Sequence, residues 1–435
     1  MRSEDAVRPP ARLRVLLLAP EYPPVLVGGL GTYLEQLATA LVRQGCDVDA
    51  FVYAVGHDSL VERDGVTLRF FSLDLDHTRG VDEVMRLVSR RLLELTIAHF
   101  AGCGTRPDII HSHDWFGVHA VGALRRQFDA PVVTTIHFLH TPICSYYGDV
   151  PPPGVPEIEV RMCRESDRVI AVSHAMRQLA IDYHGADPDR VTTVWNGCHP
   201  AWKPSRTPPA DAVPWRRLIP RDARVVLFAG RIVAMKGVDD LLRSAIAVLA
   251  RVPDAFFVLA GEVHPHFRAV LRGIWQSHDV LKERVLFCGK QPRSELAHLY
   301  ARASVAVVPS VYEPFGYAAL EPMTLGVPVI ASRIGGLAEL VEEGVSGLLV
   351  PVEPRGGERQ GANVTALADA QIRVLTDADL AARLADGGRR RAALFTSDEM
   401  AARTRDVYAS ALSARRRTMT SAVDYEDHAQ LAPRA

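Results

Sequence analysis

The sequence predicts an α/β protein made of two doubly wound parallel sheets, one in each half of the chain. Three observations carry that expectation. Short apolar runs of strand length alternate with amphipathic helical stretches from Leu13 to Val350, the pattern of strand–crossover–strand units on a parallel sheet. The alternation breaks once, at residues 200–220, where Pro, Arg and Ala dominate and periodicity is lost. On each side of that break the first strand leads into a glycine-containing loop and then a helix.

In the first half, Leu13–Ala19 reads as a buried strand. The loop after it ends in Gly28-Gly29-Leu30-Gly31, and Leu34, Leu37, Ala38 and Leu41 then recur at helical spacing up to Gly45. Further strands are expected at Val48–Tyr53, Leu68–Phe71, Ile109–His111, Val132–Ile136, Val169–Val172 and Thr192–Val194. In the second half a strand at Val225–Ala229 precedes the loop Gly230–Gly237 and a helix reaching Arg251. Strands follow at Phe256–Ala260, Val285–Cys288, Val305–Val308, Val327–Ala331 and Leu348–Val350. Helices are expected at Ala366–Leu384 and Ser397–Leu412, and Ser413–Ala435 reads as a polar, aperiodic, disordered tail. The expected division is residues 1–205 for the first domain and 221–396 for the second, with helix 397–412 folding back on the first.

The 435 residues are 48% hydrophobic and 23% charged, which fits a globular chain of two domains. A net charge of −1 gives no global attraction to nucleic acid or to an anionic membrane, so any anion site must be built locally. Lysine is scarce (Lys203, Lys236, Lys282 and Lys290 only), which makes the glycine-flanked Lys236 conspicuous. The six cysteines are scattered without a CxxC pair, so they read as reduced thiols in a cytoplasmic protein rather than as a zinc or disulfide framework. The run Val15–Ala19 is too short for a signal sequence or a membrane span.

Chemistry concentrates in Pro309–Glu321. Val305–Val308 is the preceding strand, so Glu313 lies in the turn at its carboxyl end and Glu321 lies two helical turns further on. Ligands of open parallel sheets bind at those carboxyl ends, where a new helix also directs N–H groups and partial positive charge into the crevice. Two carboxylates beside such a helix start suit a polyhydroxylated ligand that carries an anionic group; the plain alternative is a solvated helix face. Arg231 and Lys236 follow the first strand of the second half, where a forked guanidinium and a compact ammonium can neutralise a departing diphosphate. Gly28, Gly29 and Gly31 form a strand-to-helix turn that permits close approach of a ligand. A dinucleotide-binding turn requires a third glycine where Leu34 stands, although Asp49 is suitably spaced for a ribose. His137 ends the strand Val132–Ile136, with His140 nearby, and His111-Ser112-His113-Asp114-Trp115, Ser173-His174 and Gly335-Gly336 end others.

The spacing Glu313-x7-Glu321 around Pro314-Phe315-Gly316 resembles the donor-binding motif of retaining nucleotide-sugar glycosyltransferases of family 4 and the related glycogen synthases. The resemblance covers Leu13–Leu412 and implies the GT-B fold, two Rossmann-like domains facing each other across a cleft. It implies that Glu313 and the Phe315, Gly316 and Tyr317 backbone lie at the sugar and that Glu321 holds the ribose hydroxyls. Gly28, Gly29 and Gly31 would contact the donor diphosphate. Arg231-x4-Lys236 resembles the diphosphate clamp, and His137 the histidine that bonds the transferred sugar. His111–Trp115 would line the acceptor side, and backbone near Gln291-Pro292 would read the base. The family implies no metal and no cofactor beyond the nucleoside-diphosphate-sugar donor. Val27 departs from the lysine of glycogen synthases, and Cys198-His199 replaces the usual apolar–acid pair after Asn196-Gly197. The expectation is therefore a retaining glycosyltransferase acting on a small-molecule or glycan acceptor, with no nucleic-acid partner and no integral membrane segment. Glucan elongation, for which the loop Glu21-Tyr22-Pro23-Pro24 speaks, is the alternative. A nucleotide-sugar epimerase and a non-catalytic sugar-nucleotide sensor are the readings from other classes.

Overall fold

The computed structural model describes residues 12–24, 28–56, 58–75, 80–147, 149–198, 215–355 and 359–430. Val27, His199, most of the 200–220 stretch and residues 431–435 lie outside the described residues. The first half forms an eight-stranded sheet: β1 (Arg14–Ala19), β2 (Asp47–Tyr53), β3 (Ser59–Arg63), β4 (Val66–Phe71), β5 (Ile109–His113), β6 (Val132–Ile136), β7 (Arg168–Ala171) and β8 (Val191–Thr193). Their order is 3-4-2-1-5-6-7-8, and every pairing is parallel except β3 with β4. The edge strand β3 was not expected. All five of its residues are exposed, so it lacks the buried apolar run that betrays the others. Its only signal is Asp64-Gly65, both at positive φ, the turn chemistry of a two-residue hairpin.

The second half forms a six-stranded parallel sheet of β9 (Arg224–Ala229), β10 (Ala255–Ala260), β11 (Val285–Gly289), β12 (Val305–Val308), β13 (Val329–Ser332) and β14 (Leu348–Val350). Its order is 11-10-9-12-13-14. In each sheet the order reverses at the first strand, β1 or β9. The crevice at the carboxyl ends beside that reversal is where such sheets bind ligands. The glycine turns follow β1 and β9, Asp114 follows β5, His137 follows β6 and Glu313 follows β12.

β1 and β9 are buried along five of their six residues because helices cover both faces of each sheet. One apolar cluster runs from Ile136, Leu139 and Met176 beside the first sheet to Tyr312, Phe315 and Leu320 beside the second. The two halves thus share a core at the base of the cleft.

Two helical expectations need correction. The single helix Ala366–Leu384 is two helices, Val364–Thr376 and Ala378–Ala392, because the Asp377 side chain accepts from Leu380 N at 2.9 Å and caps a new start. The last helix does not stop near Leu412 but runs Ser397–Gln430, since no Gly or Pro occurs in that span to end it. It packs on the first half, where Arg43 bonds Asp398 and Ser397, and Arg168 Nε donates to Ser410 at 3.0 Å.

Candidate active site between the two sheets

The turn after β12 is gripped from two sides. Glu313 is only 9% exposed, and its Oε2 accepts from Lys236 Nζ at 2.7 Å and from Ser310 Oγ at 3.1 Å. Lys236 closes a 3-10 turn, Ala234–Lys236, and Gly237 follows at φ +64°, where a Cβ would lie 2.0 Å from the Pro309 carbonyl oxygen. Val311 N also donates to Met235 O at 2.9 Å. The lysine loop therefore lies directly on the glutamate turn, and glycine at 237 is what permits it. On the opposite side Gly336 N donates to Glu313 O at 2.9 Å. A Cβ at Gly335 would stand 2.3 Å from that oxygen, and one at Gly336 would stand 2.4 Å from Phe315 Cα.

Helix Tyr317–Leu325 starts from this turn with no side chain capping it among the described residues. Ala319 N and Leu320 N donate to Gly316 O, which leaves the Tyr317 and Ala318 N–H groups as the open first-turn donors that suit an anion. Arg231 sits on the same loop as Lys236 but is exposed, and its side chain makes no hydrogen bond or ion pair among the described residues. Lys236, Glu313 and Phe315–Tyr317 are thus brought together, while the Arg231 side chain shares none of their hydrogen bonds among the described residues.

Glu321 lies on the same helix and is 8% exposed. Burial pushes its carboxyl from 4.5 up to about 7, and the Arg293 guanidinium opposes that rise. Arg293 begins helix Arg293–Arg302, and its Nη1 donates to Glu35 Oε2 at 3.2 Å on helix Gly29–Arg43 of the first half. Sequence reasoning missed this ion pair across the cleft, whose partners are 258 residues apart.

The glycine turn reaches the same place from the other sheet. A Cβ at Gly29 would be 3.3 Å from Tyr317 Cδ2, so the two helix starts face one another. Glu21 already occupies part of the turn, taking Gly28 N at 3.1 Å and Gly31 N at 2.8 Å. Of the glycine turn expected to contact a diphosphate, the Gly28 and Gly31 N–H groups hold a carboxylate of the protein itself. Asp49 is buried and bonded to Arg14 Nη1 at 3.2 Å and His99 Nε2 at 2.9 Å. That arrangement removes the ribose role a dinucleotide-binding turn would give it.

A histidine network closes the floor. His137 Nε2 and His113 Nδ1 are 3.2 Å apart, and Tyr33 stands edge-on to His137 with 4.4 Å between ring centroids. His111 bridges the Tyr408 hydroxyl and Thr135 Oγ1, each at 2.7 Å. Burial holds His111 and His137 down to about 3 and His113 well below its usual value, so all three are neutral. Asp114, at φ +49°, accepts from His137 N at 2.6 Å and Phe138 N at 3.1 Å and so fixes the backbone of His137. Burial raises the Asp114 carboxyl from 3.8 to about 7 against those two donors. His140 stands apart from this network; its backbone N–H is held by the buried Glu159. Tyr408 comes from the last helix, and no local signal announces it.

Two family descriptions match the chain: "Glycosyl transferases group 1" over residues 211–391 and "Glycosyltransferase Family 4" over residues 27–202. The chain is 32% identical over 434 residues to a glycogen synthase of Mycobacterium tuberculosis, covering 92% of this chain and 95% of that one. It is 31% identical over 374 residues to a D-inositol 3-phosphate glycosyltransferase of Thermobifida fusca, covering 77% and 83%. Its fold matches that of sucrose-phosphate synthase from Thermosynechococcus elongatus with a TM-score of 0.75 and 27% identity, over 93% of this chain and 100% of that one. No helix among the described residues is long and apolar enough to cross a membrane. With the doubly wound halves, the crevice between them and these matches together, the chain belongs to glycosyltransferase family 4 and has the GT-B fold.

Proposed function

We propose that this glycosyltransferase takes a nucleoside-diphosphate sugar as donor and transfers the sugar, with retention of anomeric configuration, to a hydroxylated small-molecule acceptor. The observation that carries the reading is the 2.7 Å contact between Lys236 and Glu313 beside the uncapped start of helix Tyr317–Leu325. A cation, a carboxylate and free helix N–H groups in one crevice match the two ends of such a donor. The anomeric C–O bond to the diphosphate breaks while the acceptor oxygen bonds the same face of that carbon. The acceptor proton passes to the departing phosphate oxygen. Lys236, Arg231 and the N–H groups of Tyr317 and Ala318 meet the charge that develops on the diphosphate, where preorganised donors act most strongly. No divalent cation is required in this scheme, so turnover persists in chelator.

Glu313 exchanges its hold on Lys236 for the sugar hydroxyls, and Glu321 accepts from the ribose. His137, neutral, donates to the sugar from the first half. The two relatives differ by one percentage point in identity and by name act on different acceptors, so glucan elongation is tested directly by sizing products made with glycogen as primer. The primary experiment is a thermal-shift screen of uridine, adenosine and guanosine diphosphates. A ligand at about a hundred times its dissociation constant stabilises by about 2.7 kcal/mol. The nucleotide that binds then selects the donor for turnover, and NMR of the product anomer reads the stereochemistry. Absence of any nucleotide shift, or isomerisation of the donor sugar without acceptor, overturns the reading.

A further inference from the structure

Helix Gly335–Leu340 touches the donor-side turn at one end and the opposite half of the chain at the other. Its start holds the Glu313 carbonyl through Gly336 N at 2.9 Å. Four residues on, the Glu339 carboxylate receives three hydrogen bonds from the first half: His174 N at 2.9 Å, Ala175 N at 2.8 Å and Trp195 Nε1 at 2.9 Å. His174 and Ala175 open helix His174–His184, and their N–H groups are first-turn donors with no partner inside the helix. Ser173 Oγ takes the next donor, Met176 N, at 3.1 Å. A carboxylate from one half thus completes the cap of a helix in the other, where negative charge is also favoured by the helix dipole. Arg391 fastens the base of this contact, donating from Nη2 to Glu339 O at 2.7 Å and from Nε to Leu340 O at 3.1 Å.

We infer that Glu339 is a positioning residue that latches the cleft in its closed register and, through helix Gly335–Leu340, seats the Glu313 turn against the opposite half. The inference rests on the glycosyl-transfer reading above. Opening the cleft strips the cap from His174 and Ala175 and leaves the Glu339 carboxylate without its three donors; closing restores both at once. In that reading the diphosphate is held by the second half alone, whereas the transferred sugar and the acceptor also meet the first half. Loss of the latch therefore lowers the closed fraction, and turnover with it, without weakening the nucleotide.

The test uses the full chain with Glu339→Ala, Glu339→Gln and Trp195→Phe. The probe is whichever of uridine, adenosine or guanosine diphosphate raises the melting temperature. Turnover is release of that diphosphate from its glucose conjugate. Expected for Glu339→Ala are a dissociation constant within about twofold of wild type, turnover down by roughly tenfold, and a larger radius of gyration by small-angle scattering with saturating diphosphate. Glu339→Gln retains one acceptor oxygen and falls between. Trp195→Phe keeps an aromatic ring, loses one donor, and adds little to Glu339→Ala in the double variant because the two share one contact. Wild-type turnover in Glu339→Ala, losses that multiply in the double variant, or equal falls in affinity and turnover would each overturn the latch. If no diphosphate binds wild type, the glycosyl-transfer reading fails instead. Scattering of the ligand-free proteins then decides the latch: a wider Glu339→Ala supports it, and equal radii refute it.

Discussion

Lys236 and Arg231 occupy one loop and are assigned one role, yet their surroundings predict different consequences of removal. Lys236 bonds a carboxylate that is itself nearly buried, with side-chain exposures of 18% and 10% for the pair. Removing one partner of a fully buried pair costs about 3–5 kcal/mol, and an exposed pair is worth about 0–1 kcal/mol. The partial exposure here, and the Ser310 hydroxyl that stays on Glu313 at 3.1 Å, place Lys236→Ala at about 1–3 kcal/mol. A loss of that size lowers the melting temperature of a unit as large as the second half by several degrees. Arg231 has no such partner among the described residues, so Arg231→Ala melts like wild type. In the proposed reaction both variants lose a donor to the departing diphosphate, and each lowers turnover by about 10²–10³. The assay is ligand-free thermal melting alongside initial rates of donor turnover. Lys236→Met combined with Glu313→Gln recovers much of the melting temperature, because no charge is left unpaired, and recovers none of the turnover. Wild-type melting of Lys236→Ala, or a lower melting temperature for Arg231→Ala than for Lys236→Ala, refutes these assignments.

Three further outcomes follow from the same geometry. The raised pKa of Glu321 means that the folded chain binds its proton more tightly than the unfolded chain, so stability falls as pH rises from 4.5 to about 7. Glu321→Gln removes that dependence: urea titrations show it gaining up to about 3 kcal/mol over wild type at pH 8 and nothing at pH 4. His137, held near 3, is neutral across the working range, so the pH–rate profile between 5 and 8 carries no step from it. His137→Gln lowers turnover without changing the shape of that profile; a limb near pH 6.5 that vanishes in the variant contradicts this. Because burial depresses that pKa, wild type loses stability as pH falls below 6.5, and His137→Gln loses less. Gly237→Ala places a Cβ 2.0 Å from the Pro309 carbonyl at a left-handed φ, so it destabilises by about 2–4 kcal/mol and weakens diphosphate binding, read by melting and calorimetry.

What was legible in the sequence was local or periodic. The strands showed themselves because both faces of each sheet are covered, which turns them into unbroken apolar runs such as Val305–Val308. The pair Glu313 and Glu321 showed itself because one turn and one helix carry both. Exposure hid β3, and continuous helix propensity hid the break at Asp377. The connections that finish the site are long in sequence and leave no trace there: Arg293 to Glu35, Tyr408 to His111 and Glu339 to His174 join residues 258, 297 and 165 apart. Glu21 is closer to its glycines, but a carboxylate that caps a helix from across a loop obeys no fixed spacing.

Those same contacts decide where an anion can sit. Helices Gly29–Arg43, His174–His184 and Tyr317–Leu325 are among those that begin where the two halves meet, and each has first-turn N–H groups at the positive end of its dipole. Helix Gly29–Arg43 has Glu21 on Gly28 and Gly31. Helix His174–His184 has Ser173 on Met176 and Glu339 on His174 and Ala175. Helix Tyr317–Leu325 has no capping side chain among the described residues. On the proposed reading a diphosphate approaching the first two meets a carboxylate already bonded to the helix N–H groups; approaching the third it meets the open Tyr317 and Ala318 donors, with Glu313 drawn onto Lys236 of the adjacent loop. The protein's own acids thus act as stand-ins that close two of the three anion positions. The glycine turn is left to pack against Tyr317 and wall the third, with a Cβ at Gly29 only 3.3 Å from that ring. On this argument the charge that selects the donor site is as much the negative charge of Glu21 and Glu339 as the positive charge of Lys236. Replacing Glu21 by Gln weakens the restriction from one side, and a second, weaker diphosphate site appearing in calorimetry of that variant is its measurable consequence.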